Sequence, residues 1–105
     1  MARTMKAIAK SKLMVELLQE TYYNLINDFS VSIRRWTYDY EGIEHQSAYL
    51  TFFKNQGQTW YEDEITTIFN ISEALYGFAR IKVEQGVPVI KVSFHSETPI
   101  SKSHD

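Results

Sequence analysis

The chain has no cysteine. That removes disulfides, thiolate catalysis and cysteine-ligated zinc, and it fits a reducing compartment. Glycine is scarce, four residues in 105. None of the four builds a phosphate-cradling loop or a G-x-S-x-G nucleophile elbow. No apolar run approaches the roughly 18 residues of a membrane span. The start, "MARTMKAIAKSKLMVELL", is basic, but Lys10 and Lys12 interrupt its apolar residues and no small-residue cleavage site follows. It reads as mature sequence, with the cytoplasm as the expected location. Neither sign of charge dominates: the net charge is −2, so the whole chain is not built to attract nucleic acid.

Histidines with metal-ligand spacing are also lacking. His45, His95 and His104 form no H-x₃-H or H-E-x-x-H pattern. His45 with Glu44, and His95 with Glu97, supply nitrogen and oxygen ligands only if the strands bring them together. The expectation is therefore no metal, no cofactor and no catalytic residue. "NIS" at 70–72 fits a glycosylation sequon, but without a secretory signal it reads as chance.

Aromatic residues are abundant: seven Tyr, six Phe and two Trp. Such side chains dominate both cores and interfaces, so many of them are expected to be buried, inside or against a partner. The length suits one domain, large enough to fold without metal or disulfides. That domain is expected over residues 1–96, with 1–10 a flexible basic arm (Arg3, Lys6, Lys10) and 97–105 a polar tail.

Residues 13–26 carry Met14, Leu17, Leu18, Thr21 and Leu25 at helical spacing, with a start near Thr4 or at Ser11. Asn27 and Asp28 are plausible terminators. Residues 30–40 and 46–54 read as strands joined by a five-residue loop around Gly42. Residues 59–77 read as a second helix. Thr59 and Glu62 have capping-box spacing, three acids fill the first turn, and Gly77 closes it. Residues 79–95 read as a second hairpin turning at "EQGVP", with Pro88 early in its second strand. The order helix–hairpin–helix–hairpin gives an α+β fold. It is a two-layer sandwich, with a four-stranded antiparallel sheet carrying the helices on one face.

Alternation then assigns faces. Ile33, then Ala48, Leu50 and Phe52, then Ala79, Ile81 and Val83, then Ile90, Val92 and Phe94 form an aliphatic layer suited to lie under the helices. The opposite face carries Arg34, Trp36, Tyr38, Tyr40, Tyr49 and Phe53 beside Arg80, Lys82 and Lys91. An open sheet face is normally polar, so these aromatics mark it as the candidate binding surface. One ambiguity bears on it. Large side chains fall on odd positions up to Ile33 and on even positions from Trp36. A bulge at Arg34–Arg35 would turn Trp36, Tyr38 and Tyr40 back into the core. In a regular strand they face out, and Arg35, Thr37 and Asp39 reach past the helices into water.

The expected function is that of a small, soluble, non-enzymatic binding protein of regulatory or adaptor type. It acts through protein contacts, first of all with itself, by the aromatic and basic sheet face. One alternative is single-stranded nucleic acid, with bases stacked on the rings and Lys and Arg holding phosphates. Another is a small-ligand site or an enzyme, using His95, Tyr38, Tyr49 and Arg80. A fourth reading has part of the chain itself covering the face.

Overall fold

A computed structural model describes residues 5–21, 29–55 and 57–100. Its elements, in chain order, are α1 (Ala7–Thr21), β1 (Ser30–Tyr40), β2 (Ile43–Phe53), α2 (Glu62–Ala74), β3 (Phe78–Glu84) and β4 (Val87–Pro99). The strands form one antiparallel sheet in the order β1-β2-β4-β3. Both helices lie on one face of it, and the expected α+β architecture is the observed one. Among the described residues no helix is long and apolar enough to cross a membrane.

The core forms where α1 and α2 meet the central strands. Met14 and Leu18 of α1 and Ile68 of α2 are fully buried, as are Ala48, Leu50 and Phe52 of β2. Ile90, Val92 and Phe94 of β4 are almost fully buried with them. Phe29, just before β1, packs edge-on against Phe52 at 5.9 Å and lies against Trp60 at 5.3 Å. Ile33 and Ala79 are half-buried at the flanks. Two expected core residues are not core: Ile81 is 53% and Val83 65% exposed. Both lie on edge strand β3, toward the end of the hairpin, where α2 no longer covers the sheet.

The termini of these elements depart from sequence expectation for local reasons. α1 starts at Ala7, so Ser11 is inside the helix, where its hydroxyl donates to the Ile8 carbonyl at 2.7 Å. A helix start leaves its first N–H groups without helical partners. Here the sheet supplies them: Ala7 N–H donates to Ser96 Oγ at 2.9 Å and Ile8 N–H to Gln46 Oε1 at 3.1 Å. Lys6 pairs with Glu44 at 2.8 Å, so the basic segment is tied down from there onward. Thr4 and the expected terminators Asn27 and Asp28 lie outside the described residues.

Both hairpins close in two residues rather than in longer loops. Glu41–Gly42 and Gln85–Gly86 all have φ between 51° and 79°. Two successive left-handed residues are what a type I′ turn needs, and that turn matches the twist of the strands it joins. β2 consequently begins at Ile43, three residues earlier than its composition indicates. β4 runs to Pro99, into the stretch expected as tail, because Glu97, Thr98 and Pro99 pair with His45, Glu44 and Ile43.

α2 begins after Tyr61 rather than after Thr59. Glu64 closes the start, accepting the Tyr61 N–H at 3.0 Å. At the other end it is Tyr76, not Gly77, that takes the left-handed conformation, with φ 60°. Gly77 is required for a different reason. A Cβ there would overlap the Phe94 ring and approach Ser72 Oγ to 2.9 Å.

One buried ion pair joins the layers. Lys54, just after β2, donates to both carboxylate oxygens of Glu64 at 2.9 and 2.8 Å. Both side chains are almost completely buried. The ammonium also lies 5.1–5.9 Å from the ring centres of Tyr61, Trp60 and Phe29. Glu64 therefore does more than offset the helix dipole. With Glu64 engaged, and Trp60 Nε1 donating to the Pro88 carbonyl, this helix start is a structural joint.

Candidate functional site

The pairing of β1 with β2 runs unbroken through the arginine pair: Ile33 faces Leu50, Arg34 faces Tyr49, Arg35 faces Ala48 and Trp36 faces Ser47. There is no bulge. Trp36, Tyr38 and Tyr40 therefore point away from the helices, on the face of Tyr49 and Phe53. They are 41%, 49% and 61% exposed. Arg35 does not simply reach into water as expected. Its Nε donates to Ser11 Oγ at 2.8 Å, which ties β1 to the side of α1.

Strand order decides whether the aromatic and cationic halves of this face are neighbours. With β2 and β4 in the centre, one row across the sheet reads Arg34, Tyr49, Ser93, Phe78. The next reads Ser32, Thr51, Lys91, Arg80. These two rows and Trp36 line a shallow groove of about 420 Å³. Trp36 and Tyr49 pack with ring centres 5.0 Å apart and planes tilted by 34°, forming one wall. Phe78, 60% exposed, stands at the other side.

Five of the nine expected binding residues (Arg34, Trp36, Tyr49, Arg80 and Lys91) thus meet in one groove. The other four share the face but not the groove. Tyr38 lies toward the β1–β2 turn and stacks on His45 at 4.7 Å and 6°. Tyr40 ends the strand, opposite Ile43. Phe53 borders a separate, wider hollow with Asn55 and Val89. Lys82 flanks Arg80 on edge strand β3, opposite Val89.

The charges on this face are unequal in freedom. Lys91 is paired with Glu84 at 2.6 Å. The hydrogen bond from Lys91 holds the Glu84 carboxyl below the ordinary carboxylate range, with Lys82 and Arg80 adding to the effect. Arg34 and Arg80 make no ion pair among the described residues. Two guanidinium groups without an ion pair among the described residues therefore flank the tilted Trp36–Tyr49 pair, beside the hydroxyls of Ser32, Thr51 and Ser93. This combination suits planar or anionic groups, which rings stack upon and guanidinium forks grip.

Sequence spacing did not assemble a second cluster, one row beyond the groove. His45 and Glu97 face each other across β2 and β4, as do Ser47 and His95. Ser47 Oγ lies 3.2 Å from His95 Nδ1, and His95 Nε2 lies 3.3 Å from Glu97 Oε2. The connectivity is that of a nucleophile, a base and an acid. Ser47 is buried, and the backbone of central strand β2 is paired on both sides. No pair of free N–H groups is left there for an oxyanion. Glu44, the other carboxylate neighbouring a histidine in sequence, is on the opposite face, bonded to Lys6.

Comparison with protein-family models, with curated proteins and with solved structures finds no match. The reading of this face rests on its own geometry.

Proposed function

We propose that the chain is a non-catalytic binding protein whose contact surface is the open sheet face, and that the partner it fits first is a second copy of itself. One observation carries this reading. Six aromatic side chains on that face (Trp36, Tyr38, Tyr40, Tyr49, Phe53 and Phe78) are each more than a third exposed. Both described helices lie on the other face. Aromatic residues and arginine are the types enriched where protein interfaces are buried.

The rows support self-complementarity. Two sheets packed face to face about a two-fold axis parallel to the strands bring β1 of each over β3 of the other. In the row Arg34, Tyr49, Ser93, Phe78, such an axis sets Arg34 against Phe78 of the second copy, a cation on a ring. It sets Tyr49 against Ser93. In the next row the same axis sets Ser32 against Arg80 and Thr51 against Lys91, hydroxyls against cations.

The test is mass in solution, by light scattering across a range of concentrations. The reading expects a dimer that the paired substitution Trp36→Ala, Tyr38→Ala shifts toward monomer. A wild-type chain that stays monomeric at high concentration would overturn it.

A second reading has its own support: Arg34 and Arg80, without an ion pair among the described residues, lie beside the exposed rings of Trp36 and Tyr49. A single-stranded oligonucleotide would place bases on the rings and phosphates on the guanidinium groups. It predicts binding that weakens steeply as salt rises. No binding at low salt removes it.

A further inference from the structure

We propose that His45, His95 and Glu97 form a binding site for a divalent transition-metal ion, with Zn²⁺ the ion whose chemistry fits the donor set. Antiparallel pairing brings the three together from two central strands. His95 and Glu97 are two apart on β4 and share a face, and His45 of β2 is the direct partner of Glu97. One ligand atom from each lies within 4.8 Å of the other two. Two imidazole nitrogens and one carboxylate oxygen are a recurrent set for Zn²⁺, with the remaining position left to water.

The distances carry the argument further. Zinc bonds of about 2.0–2.1 Å at tetrahedral angles hold neighbouring ligand atoms about 3.4 Å apart. Glu97 Oε2 lies 3.3 Å from His95 Nε2 and 3.8 Å from His45 Nδ1. His45 Nδ1 is buried and has no hydrogen-bond partner among the described residues. A buried ring nitrogen without a partner is costly, and this one is turned toward the carboxylate at a spacing too long for a hydrogen bond. An ion between them satisfies it.

The surroundings are those of a held site rather than of three loose side chains. Tyr38 stacks flat on the His45 ring and fixes its plane. Ser47 Oγ bonds the far nitrogen of His95, the outer contact that orients a ligating imidazole and leaves Nε2 for the metal. The side chains of His95 and Glu97 are 50% and 56% exposed, which leaves the ion a route in and a solvent-facing coordination position. The third spacing, between the two imidazoles, is within 4.8 Å, with the ring centres 5.7 Å apart, and closing it to about 3.4 Å falls on exposed His95. Every ligand comes from this chain, so the site stands whether or not a second copy covers the face.

The experiment is calorimetric titration of Zn²⁺ alone into the untagged, chelator-stripped full chain, with a circular-dichroism melt of every variant. The expected result is one ion per chain for the wild type. Removing a direct ligand, in His95→Ala and separately in Glu97→Gln, costs more than the roughly 10–100-fold expected of an outer contact such as that lost in Ser47→Ala. Both ligands are exposed, so the variants are expected to melt as the wild type does. Co²⁺ in place of Zn²⁺ gives a second readout, a visible absorption band of a tetrahedral centre that is lost in His95→Ala. A wild type that takes up no Zn²⁺, or one that binds no more tightly than folded His95→Ala and Glu97→Gln, overturns the proposal.

Discussion

The two faces of this sheet are made by the same four strands, and alternate residues of each strand serve opposite ends. On the helix face Leu50, Phe52, Ile90, Val92 and Phe94 are 0–2% exposed. On the open face Trp36, Tyr38, Tyr49 and Phe78 are 41–60% exposed. The difference does not lie in how apolar the residues are, since the open face carries the larger rings. It lies in what accompanies them. The helix face of the central strands is apolar and is covered by the two described helices, whereas the open face interleaves rings with guanidinium groups, hydroxyls and imidazoles. A core needs close packing and few polar atoms. The proposed contact surface, exposed in the single chain, carries its rings among polar neighbours.

The sharpest way to break this comparison is to remove one ring from each face. Phe52→Ala on the helix face is expected to cost about 3–5 kcal/mol in denaturant unfolding, because a buried ring leaves a cavity. Trp36→Ala on the open face loses chiefly its contact with Tyr49, worth roughly 0.5–1.5 kcal/mol. Equal losses at dilutions where no dimer forms would mean that the open face is core after all. Glu64→Ala is expected to be as severe as Phe52→Ala, about 3–5 kcal/mol, because it leaves Lys54 buried among three rings without its counter-charge. Lys54→Met with Glu64→Leu should recover much of that loss; a double variant no better than the single one would show that the joint is not electrostatic.

The smallest effect is expected with pH. Glu44 and Glu84 are held below the ordinary value of 4.5, in each case first by a lysine hydrogen bond, from Lys6 and Lys91 respectively. A carboxyl whose pKa is lower folded than unfolded adds stability above its unfolded pKa. That contribution is lost as pH falls through the folded one. Stability should therefore fall below about pH 4.5, and Lys6→Met with Lys91→Met should flatten the fall. An unchanged acid limb in that variant would remove these pairs from the account.

Much of this was legible in the sequence where the signal is local. The period of two placed Ala48, Leu50, Phe52, Ile90, Val92 and Phe94 under the helices and Tyr49 and Arg80 opposite them, whereas Trp36 and Tyr38 hung on whether a bulge interrupts β1 at Arg34–Arg35. Gly42 and Gly86 marked the turns, although the left-handed pairs Glu41–Gly42 and Gln85–Gly86 made those turns tighter than composition indicates. What stayed hidden depends on distant pairing. Strand order brings Arg34 and Arg80 to one groove, and no local pattern encodes it. His45 and Glu97 are far apart in sequence and meet only because β2 pairs with β4. The reach of α2 leaves Ile81 and Val83 in solvent although they alternate as core residues do. Lys54 read as the end of a strand and Glu64 as a dipole charge, and only tertiary packing closes water out around them.

The central claim, that a second copy covers the open face, is most directly tested at Trp36. Trp60→Phe leaves Trp36 as the single tryptophan, and iodide quenching of its fluorescence reports its access to solvent. The account predicts strong quenching in dilute solution and marked protection as concentration rises and mass doubles. Doubling of the mass with Trp36 as open to iodide as before would contradict it.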